Sequence, residues 1–94
     1  MTDLRFEWDS AKNESNQKKH GISFEEGKSV FYDDNAKLIN DLEHSKNEDR
    51  FIMMGMSTKL RILIVCHCYR ESENIIRIIS ARKATKHESN QYGR

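Results

Sequence analysis

The sequence contains no proline and no long apolar run, since the longest one covers only residues 62–66. A helix that crosses a bilayer needs about 20 apolar residues, and the residues after Met1 do not form an apolar secretory leader. We therefore expect a cytoplasmic protein without a membrane span. The lack of proline removes one common way to protect the edge of a sheet, so an exposed edge would favour a partner chain.

Cysteine is scarce as well, with Cys66 and Cys68 as the only two. Their alternate spacing places both on one face of a strand, where a mutual disulfide would be strained. Together with four scattered histidines, they match no zinc-ligand spacing. We expect reduced core thiols, no metal and no cofactor.

Apolar residues are few but clustered. They form 36% of the 94 residues, against 33% charged residues, and concentrate between residues 50 and 81. This pattern and length predict one small domain over residues 1–94. The net charge is +1, yet seven basic and ten acidic residues give −3 over residues 1–47, and nine basic and five acidic ones give +4 over residues 48–94. The basic half suits nucleic acid or an acidic partner, unless the asymmetry is ordinary surface scatter.

Two helices are predicted in the N-terminal half. Residues 5–8 alternate polar and apolar side chains, which indicates a short strand, and Asp9 then caps a helix over about residues 10–20. Ser23 begins a second helix with a capping box, and apolar residues at helical spacing extend this helix to about Tyr32.

The remainder follows a period of two, which predicts strands. A weak strand is expected within residues 36–42, stronger strands at 51–56, 61–69 and 75–81, and a last helix at 86–92. Hairpin-length loops favour sequential antiparallel pairing. The resulting order is β-α-α-β-β-β-β-α, an α+β domain with helices packed on one face of an antiparallel sheet.

Basic side chains anchored in a sheet are what a metal-independent ribonuclease needs. The RNA supplies its own nucleophile, the 2′-OH, so the protein must hold the phosphate, stabilise charge and transfer protons. Arginine suits the first two tasks, and His20 and His67 are candidate proton carriers. Strict alternation along the last strand would place Arg77 and Arg82 on opposite faces, with Arg82 on the face of Ile78.

These arginines and histidines, and also Arg61 and Tyr92, can be interpreted as structural residues. Arg61 would protect the sheet beside a turn, and Arg77 either pairs with a carboxylate or lies in a ligand cleft. The candidate carboxylates are Glu25, Glu26 and Asp41. His67 would be a core histidine, His20 would interact with a helix C-terminus, and Tyr92 would fray with the chain end.

Short sequence blocks follow one another along nearly the whole chain. They are Phe6-x-Trp8-Asp9 with Lys12 and Asn16, Lys19-His20-Gly21, Ser23-Phe24-Glu25-Glu26, Val30-Phe31, Asp41 with His44-Ser45, Arg50, Gly55, and residues 77–85 with Glu88 and Tyr92. Together these blocks resemble the BrnT family, the toxins of bacterial type II toxin-antitoxin pairs. The sequence departs from the family at Ser10, where proline is frequent, and in the polar segment around His67.

The resemblance implies a RelE-like fold and a ribonuclease that cleaves RNA, inhibits translation and is neutralised by a BrnA-like antitoxin. Operator DNA is bound only through the antitoxin, and a toxin dimer within a heterotetramer is expected. Chemistry and motif position predict catalytic residues Lys19, His20, Arg50, Arg77 and Arg82, and RNA-binding residues Arg61, Lys83, Lys86 and Tyr92. Arg77 and Arg82 would stabilise the phosphate, and His20 or Lys19 would assist proton transfer. The alternative is a non-catalytic module that binds RNA or the antitoxin within an autorepressing complex, with arginines as interface anchors.

Overall fold

The computed structural model describes residues 4–40, 49–70 and 74–93, which form a mixed α+β fold. The elements are β1 (Arg5–Glu7), α1 (Ser10–His20), α2 (Phe24–Ser29) with a 3₁₀ turn (Val30–Tyr32), β2 (Lys37–Asn40), β3 (Phe51–Met56), β4 (Ile62–Arg70), β5 (Ile75–Lys83) and α3 (Lys86–Ser89). The predicted α+β class is confirmed. The second and last helices are shorter than predicted, since the second tightens into the 3₁₀ turn and α3 ends at Ser89.

The helix boundaries follow from local hydrogen bonds. The Asp9 side chain accepts from the Lys12 backbone N–H at 3.0 Å and begins α1, which ends at Gly21 with φ of 72°. That left-handed conformation favours glycine. The Ser23 hydroxyl accepts from the Glu26 backbone N–H at 3.0 Å and begins α2. Thr85 begins α3 with a complete capping box.

The five strands form one sheet in the order β1-β5-β4-β3-β2. Three neighbouring pairs are antiparallel, as predicted, but β1 pairs with β5 in parallel. The prediction of a wholly antiparallel sheet is therefore wrong at this edge. The three residues of β1 are held there because Phe6 packs against the core and meets the Phe31 ring edge-on, with the ring centres 5.3 Å apart.

The hydrophobic core lies between the sheet and residues 22–30, which include α2. Ile22, Phe24 and Val30 pack against Leu63, Val65, Ile76, Ile78 and Ala81. Helix α2 approaches the sheet closely at Gly27, where an added Cβ would lie 3.3 Å from the Ala81 Cβ. The opposite face of β3, β4 and β5 carries Arg82 beside the side chains of Ile52, Ile64 and Ile79.

A β-bulge reverses the predicted facing of the last strand. Cys66 pairs with Ser80 while His67 pairs with Ile78, so Ile79 is an extra residue on β5. After such an extra residue, the alternation of side chains changes phase. Arg82 therefore lies on the face opposite Ile78, and the prediction that it shares the face of Ile78 is wrong. Arg77 and Arg82 point to the same face of the sheet.

Candidate functional site

A cavity of about 240 Å³ lies on the face of the sheet that is turned away from α2. Its lining residues are Arg50, Ile52, Ile64, Cys66, Ile79, Ser80 and Arg82. We call this the sheet cavity. Three isoleucines and a cysteine form an apolar floor, and two guanidinium groups stand at its rim. None of the seven lining residues carries a carboxylate, and the two charged ones are both arginines.

A second cavity, of about 220 Å³, lies between α1 and β5, and we call it the α1 cavity. Its lining residues are Lys12, Ser15, Asn16, Lys19, His20, Ile79 and Ser80. The helical members are spaced three and four residues apart, which puts them on one face of α1. In the part of the chain that the structure describes, the ammonium groups of Lys12 and Lys19 form no ion pair.

The bulge joins the two cavities. Ile79 and Ser80 line both of them, because the extra residue lets two consecutive side chains of β5 reach the surface. In the described residues the Ser80 hydroxyl has no hydrogen-bond partner. Cations from α1 therefore stand on one side of Ser80 and arginines of the sheet on the other.

Asn16 fixes the position of α1 relative to this junction. Its side-chain amide donates to the backbone oxygens of Ala81 at 2.7 Å and Ile22 at 2.8 Å. Its Oδ1 accepts from the Ala81 N–H at 3.2 Å. One buried side chain thus satisfies both backbone groups of Ala81, as a neighbouring strand would.

Arg82 is held by α3. Its two terminal nitrogens donate to the two carboxylate oxygens of Glu88 at 2.8 and 2.9 Å. The Arg82 guanidinium lowers the pKa of Glu88 from its ordinary value to about 2, against the opposing effect of partial burial. This bidentate pair fixes the plane of the guanidinium at the rim of the sheet cavity.

Arg77 lies on the same face of the sheet but outside both cavities. It donates to Glu7 Oε2 at 2.7 Å, and Arg70 approaches the same oxygen at 3.7 Å. The predicted partners Glu25 and Glu26 were wrong, since β1 supplies the carboxylate instead. The third predicted partner, Asp41, lies outside the described residues.

Arg61 forms a network with a buried carboxylate. It donates to both oxygens of Glu26, at 2.6 and 2.7 Å, and Ser57 donates to Glu26 at 2.7 Å. Glu26 is 5% exposed, and the hydrogen bond from Arg61 lowers the pKa of its carboxyl. The network links α2 to the start of β4, which gives Arg61 a structural role.

His67 belongs to an aromatic cluster in the interior. It is fully buried, and its ring lies 4.8 Å from that of Phe31 and 5.2 Å from that of Tyr69, measured between centres. Burial lowers its pKa, so the imidazole is neutral at physiological pH. The core interpretation of His67 fits this placement better than a role as proton carrier.

The remaining predicted RNA-binding residues lie near α3. Lys83 and Lys86 are exposed. The Tyr92 hydroxyl donates to Asp33 Oδ2 at 2.5 Å, which raises the pKa of Tyr92. The interpretation of Tyr92 as a frayed terminal residue is wrong, because this bond ties it to the turn after α2.

The structure thus brings four of the five predicted catalytic residues to the two adjoining cavities: Lys19, His20, Arg50 and Arg82. Sequence reasoning assigned no role there to Ser15, Cys66 or Ser80. The helical spacing of Lys12, Ser15 and Lys19 could have revealed one face of α1. No sequence signal indicates the bulge that exposes Ser80.

Within residues 4–40, 49–70 and 74–93, no group of three or more His, Cys, Asp or Glu side chains is placed to hold a metal ion. Among those same residues, none of the helices has the length and apolar character needed to cross a membrane.

Known proteins share the sequence pattern and the fold of this chain. A family model described as "Ribonuclease toxin, BrnT, of type II toxin-antitoxin system" matches residues 8–88. The crystal structure of the Brucella abortus ribonuclease toxin BrnT superimposes with a TM-score of 0.67 at 23% identity, covering 89% of this chain and 100% of that one. No curated protein matches the sequence. The structural likeness shows a shared fold, and the family match over most of the chain shows that it belongs to the BrnT family of ribonuclease toxins of type II toxin-antitoxin systems.

Proposed function

We propose that this chain is an endoribonuclease that cleaves RNA without a metal, by attack of a ribose 2′-OH on the adjacent phosphate. A bond forms between the 2′ oxygen and phosphorus, and the bond from phosphorus to the 5′ oxygen breaks. The products are a 2′,3′-cyclic phosphate and a free 5′-OH. One proton must leave the 2′ oxygen and another must reach the departing 5′ oxygen.

The observation that carries this proposal is the junction of the two cavities at Ile79 and Ser80. A phosphate over Ser80 would have Lys19 and His20 on one side and Arg82 on the other. Imidazole exchanges protons near neutral pH, so His20 is the proposed proton carrier, with Lys19 assisting it.

The arginines stabilise the charge that develops on the phosphate. A planar guanidinium matches phosphate oxygens, and Arg82 is already oriented by Glu88. Arg50 supplies a second guanidinium across the sheet cavity. Arg77, outside the cavities, holds RNA further along the sheet, as do the exposed Lys83 and Lys86. Arg61 is not in this set, because it lines neither cavity and pairs with the buried carboxylate of Glu26.

The proposed cellular role follows the family. The RNA cleavage would inhibit translation in the cytoplasm until a BrnA-like antitoxin binds, and operator DNA would be reached only through that antitoxin. The proposed complex is a heterotetramer that holds two copies of a RelE-like toxin. The described edge strand β2 supports a protein partner, since Leu38 and Ile39 are 51% and 49% exposed.

The test compares two neighbouring lysines of α1. Lys19 lines the α1 cavity, whereas Lys18 is exposed on another face of the same helical turn. In a chelator-containing buffer, the native chain should cleave a mixed-sequence RNA. Lys19→Ala and His20→Ala should each slow cleavage about 10²-fold, while Lys18→Ala should leave the rate unchanged.

Two results would overturn the proposal. One is a folded native chain that leaves RNA intact in chelator, whether alone or with added ribosomes. The other is an equal loss of rate in Lys18→Ala and Lys19→Ala, which would mean that general surface charge, not the cavity, governs the activity.

A further inference from the structure

The sheet cavity has a composition that a phosphate site alone does not need. Ile52, Ile64 and Ile79 provide an aliphatic floor next to the ionic groups. A phosphate gains nothing from such a floor, whereas the face of a nucleobase does. The α1 cavity, in contrast, is lined mainly by ammonium, imidazole and hydroxyl groups.

The polar groups around that floor are mainly hydrogen-bond donors. The guanidinium groups of Arg50 and Arg82 are hydrogen-bond donors only, and the lining includes no carboxylate or side-chain amide. The Ser80 hydroxyl can donate or accept. The edge of guanine that carries O6 and N7, and the O4 of uracil, present only acceptors and find partners here, whereas the same edge of adenine or cytosine carries an amino group that would face donors.

We propose that the sheet cavity is a nucleobase subsite that prefers the keto bases guanine and uracil, and that the α1 cavity takes the neighbouring phosphate. This inference rests on the proposed function, because it assigns the parts of one RNA substrate to the two cavities. The base lies on the isoleucine floor beneath a guanidinium. Its carbonyl oxygens accept from Arg50, whose five N–H donors leave others for the phosphate, while Arg82 and Ser80 contact the phosphate at the junction.

The wall that the two cavities share allows a single nucleotide to occupy both of them. Adjacent bulge residues, Ile79 and Ser80, line both cavities. A base and its own phosphate are likewise joined by a single ribose. Specificity then arises at the floor of the sheet cavity, and charge neutralisation arises around Ser80, from the cations of α1 on one side and Arg82 on the other.

Cys66 offers a way to fill the base subsite without touching the phosphate site. It lies in the lining of the sheet cavity alone and is half-buried, so a larger side chain would extend into the cavity. Cys66→Phe is the filling variant and Cys66→Met a smaller one. Cys66→Ser, which keeps the size of the side chain, is the matched control.

The experiment is a binding titration followed by ¹H–¹⁵N NMR, with guanosine, adenosine and inorganic phosphate as separate probes. Guanosine should shift the amides of Cys66 and Ile79 and bind about tenfold more tightly than adenosine, as expected for one well-formed contact to a base edge. Phosphate should shift the amides of Lys19 and His20.

The variants separate the two subsites. Cys66→Phe should lose guanosine binding and keep phosphate binding, Cys66→Met should weaken guanosine binding, and Cys66→Ser should resemble the native chain. Equal binding of guanosine and adenosine, or full guanosine binding by folded Cys66→Phe or Cys66→Met, would overturn the inference. Because binding is read without cleavage, an RNA-cleaving chain without base preference refutes only this inference, and a guanosine-binding chain that does not cleave refutes only the proposed function.

Discussion

Replacing Asn16 by alanine should destabilise the protein strongly, although the change removes only one small polar group. The Asn16 side chain is 7% exposed and forms three hydrogen bonds of 2.7 to 3.2 Å with backbone atoms of Ile22 and Ala81. At about 1 kcal/mol for each bond, Asn16→Ala should lower the free energy of unfolding by about 3 kcal/mol. For a domain of this size, that lowers Tm by roughly 12 to 24 °C.

Urea unfolding of three variants tests this reasoning. Gln17→Ala removes an exposed amide on the same helix, whose two contacts are long at 3.4 Å, and should change stability little. Asn16→Asp keeps the size and the acceptor for the Ala81 N–H, but it places a carboxylate against two carbonyl oxygens. It should therefore destabilise the protein at least as much as Asn16→Ala.

Hydrogen exchange adds a readout at one atom. The Ala81 amide should lose protection in Asn16→Ala relative to the neighbouring amides of β5, because its acceptor has been removed. An Asn16→Asp protein as stable as the native one would refute the account, since packing alone would then explain the site. Unchanged exchange at Ala81 would refute it as well.

Three further predictions concern other parts of the fold. Arg61→Ala should lower the urea midpoint of unfolding, because the buried carboxylate of Glu26 would lose its charged partner, yet it should leave RNA cleavage by the folded fraction unchanged. Slower cleavage at native stability would contradict the structural role. The Glu88 carboxyl, with its pKa lowered to about 2, contributes stability that is fully present above about pH 4.5 and is lost as the pH falls towards 2. Acid titration of Glu88→Gln should lack this loss, and identical acid profiles would contradict it. Gly55→Ala would place a Cβ 3.1 Å from the Val30 backbone oxygen and should cost about 1 to 3 kcal/mol in urea unfolding; a neutral effect would show that the backbone yields there.

The parts of the fold that depend on local signals were predictable from the sequence. Side-chain caps at Asp9, Ser23 and Thr85 form as their residue types indicate, and the strand β3 covers residues 51–56 as expected. Each of these features is decided by residues a few positions apart. The periodicity of the sequence therefore contains the necessary information.

The parts that were mispredicted depend on distant pairing. The parallel contact of β1 with β5 joins Phe6 to Ile76, and no local pattern indicates which edge a three-residue strand will choose. The bulge at Ile79 is likewise a mismatch between two strands, visible only when their registers are compared. Reading β5 alone gave the wrong face for Arg82.

The same distinction applies to the candidate site. Residue types alone indicated that Lys19, His20 and Arg82 suit phosphate chemistry, and their roles stay predictions. Their gathering around Ser80 required the bulge and the Asn16 contact, both of which bridge remote segments. The partner of Arg77 was missed for the same reason, since Glu7 reaches it only through the pairing of β1 with β5.

The pairing of β1 with β5 has a consequence for the protein during its own synthesis. Residue 5 pairs with residue 75, and Asn16 finds Ala81 65 positions later. At about 5 to 20 residues per second, a nascent chain spends several seconds with its first strand and first helix made but without their partners. The cationic face of α1 cannot be set against Ser80 until β5 has emerged, so the ribosome that makes this ribonuclease carries the proposed site unassembled through most of translation.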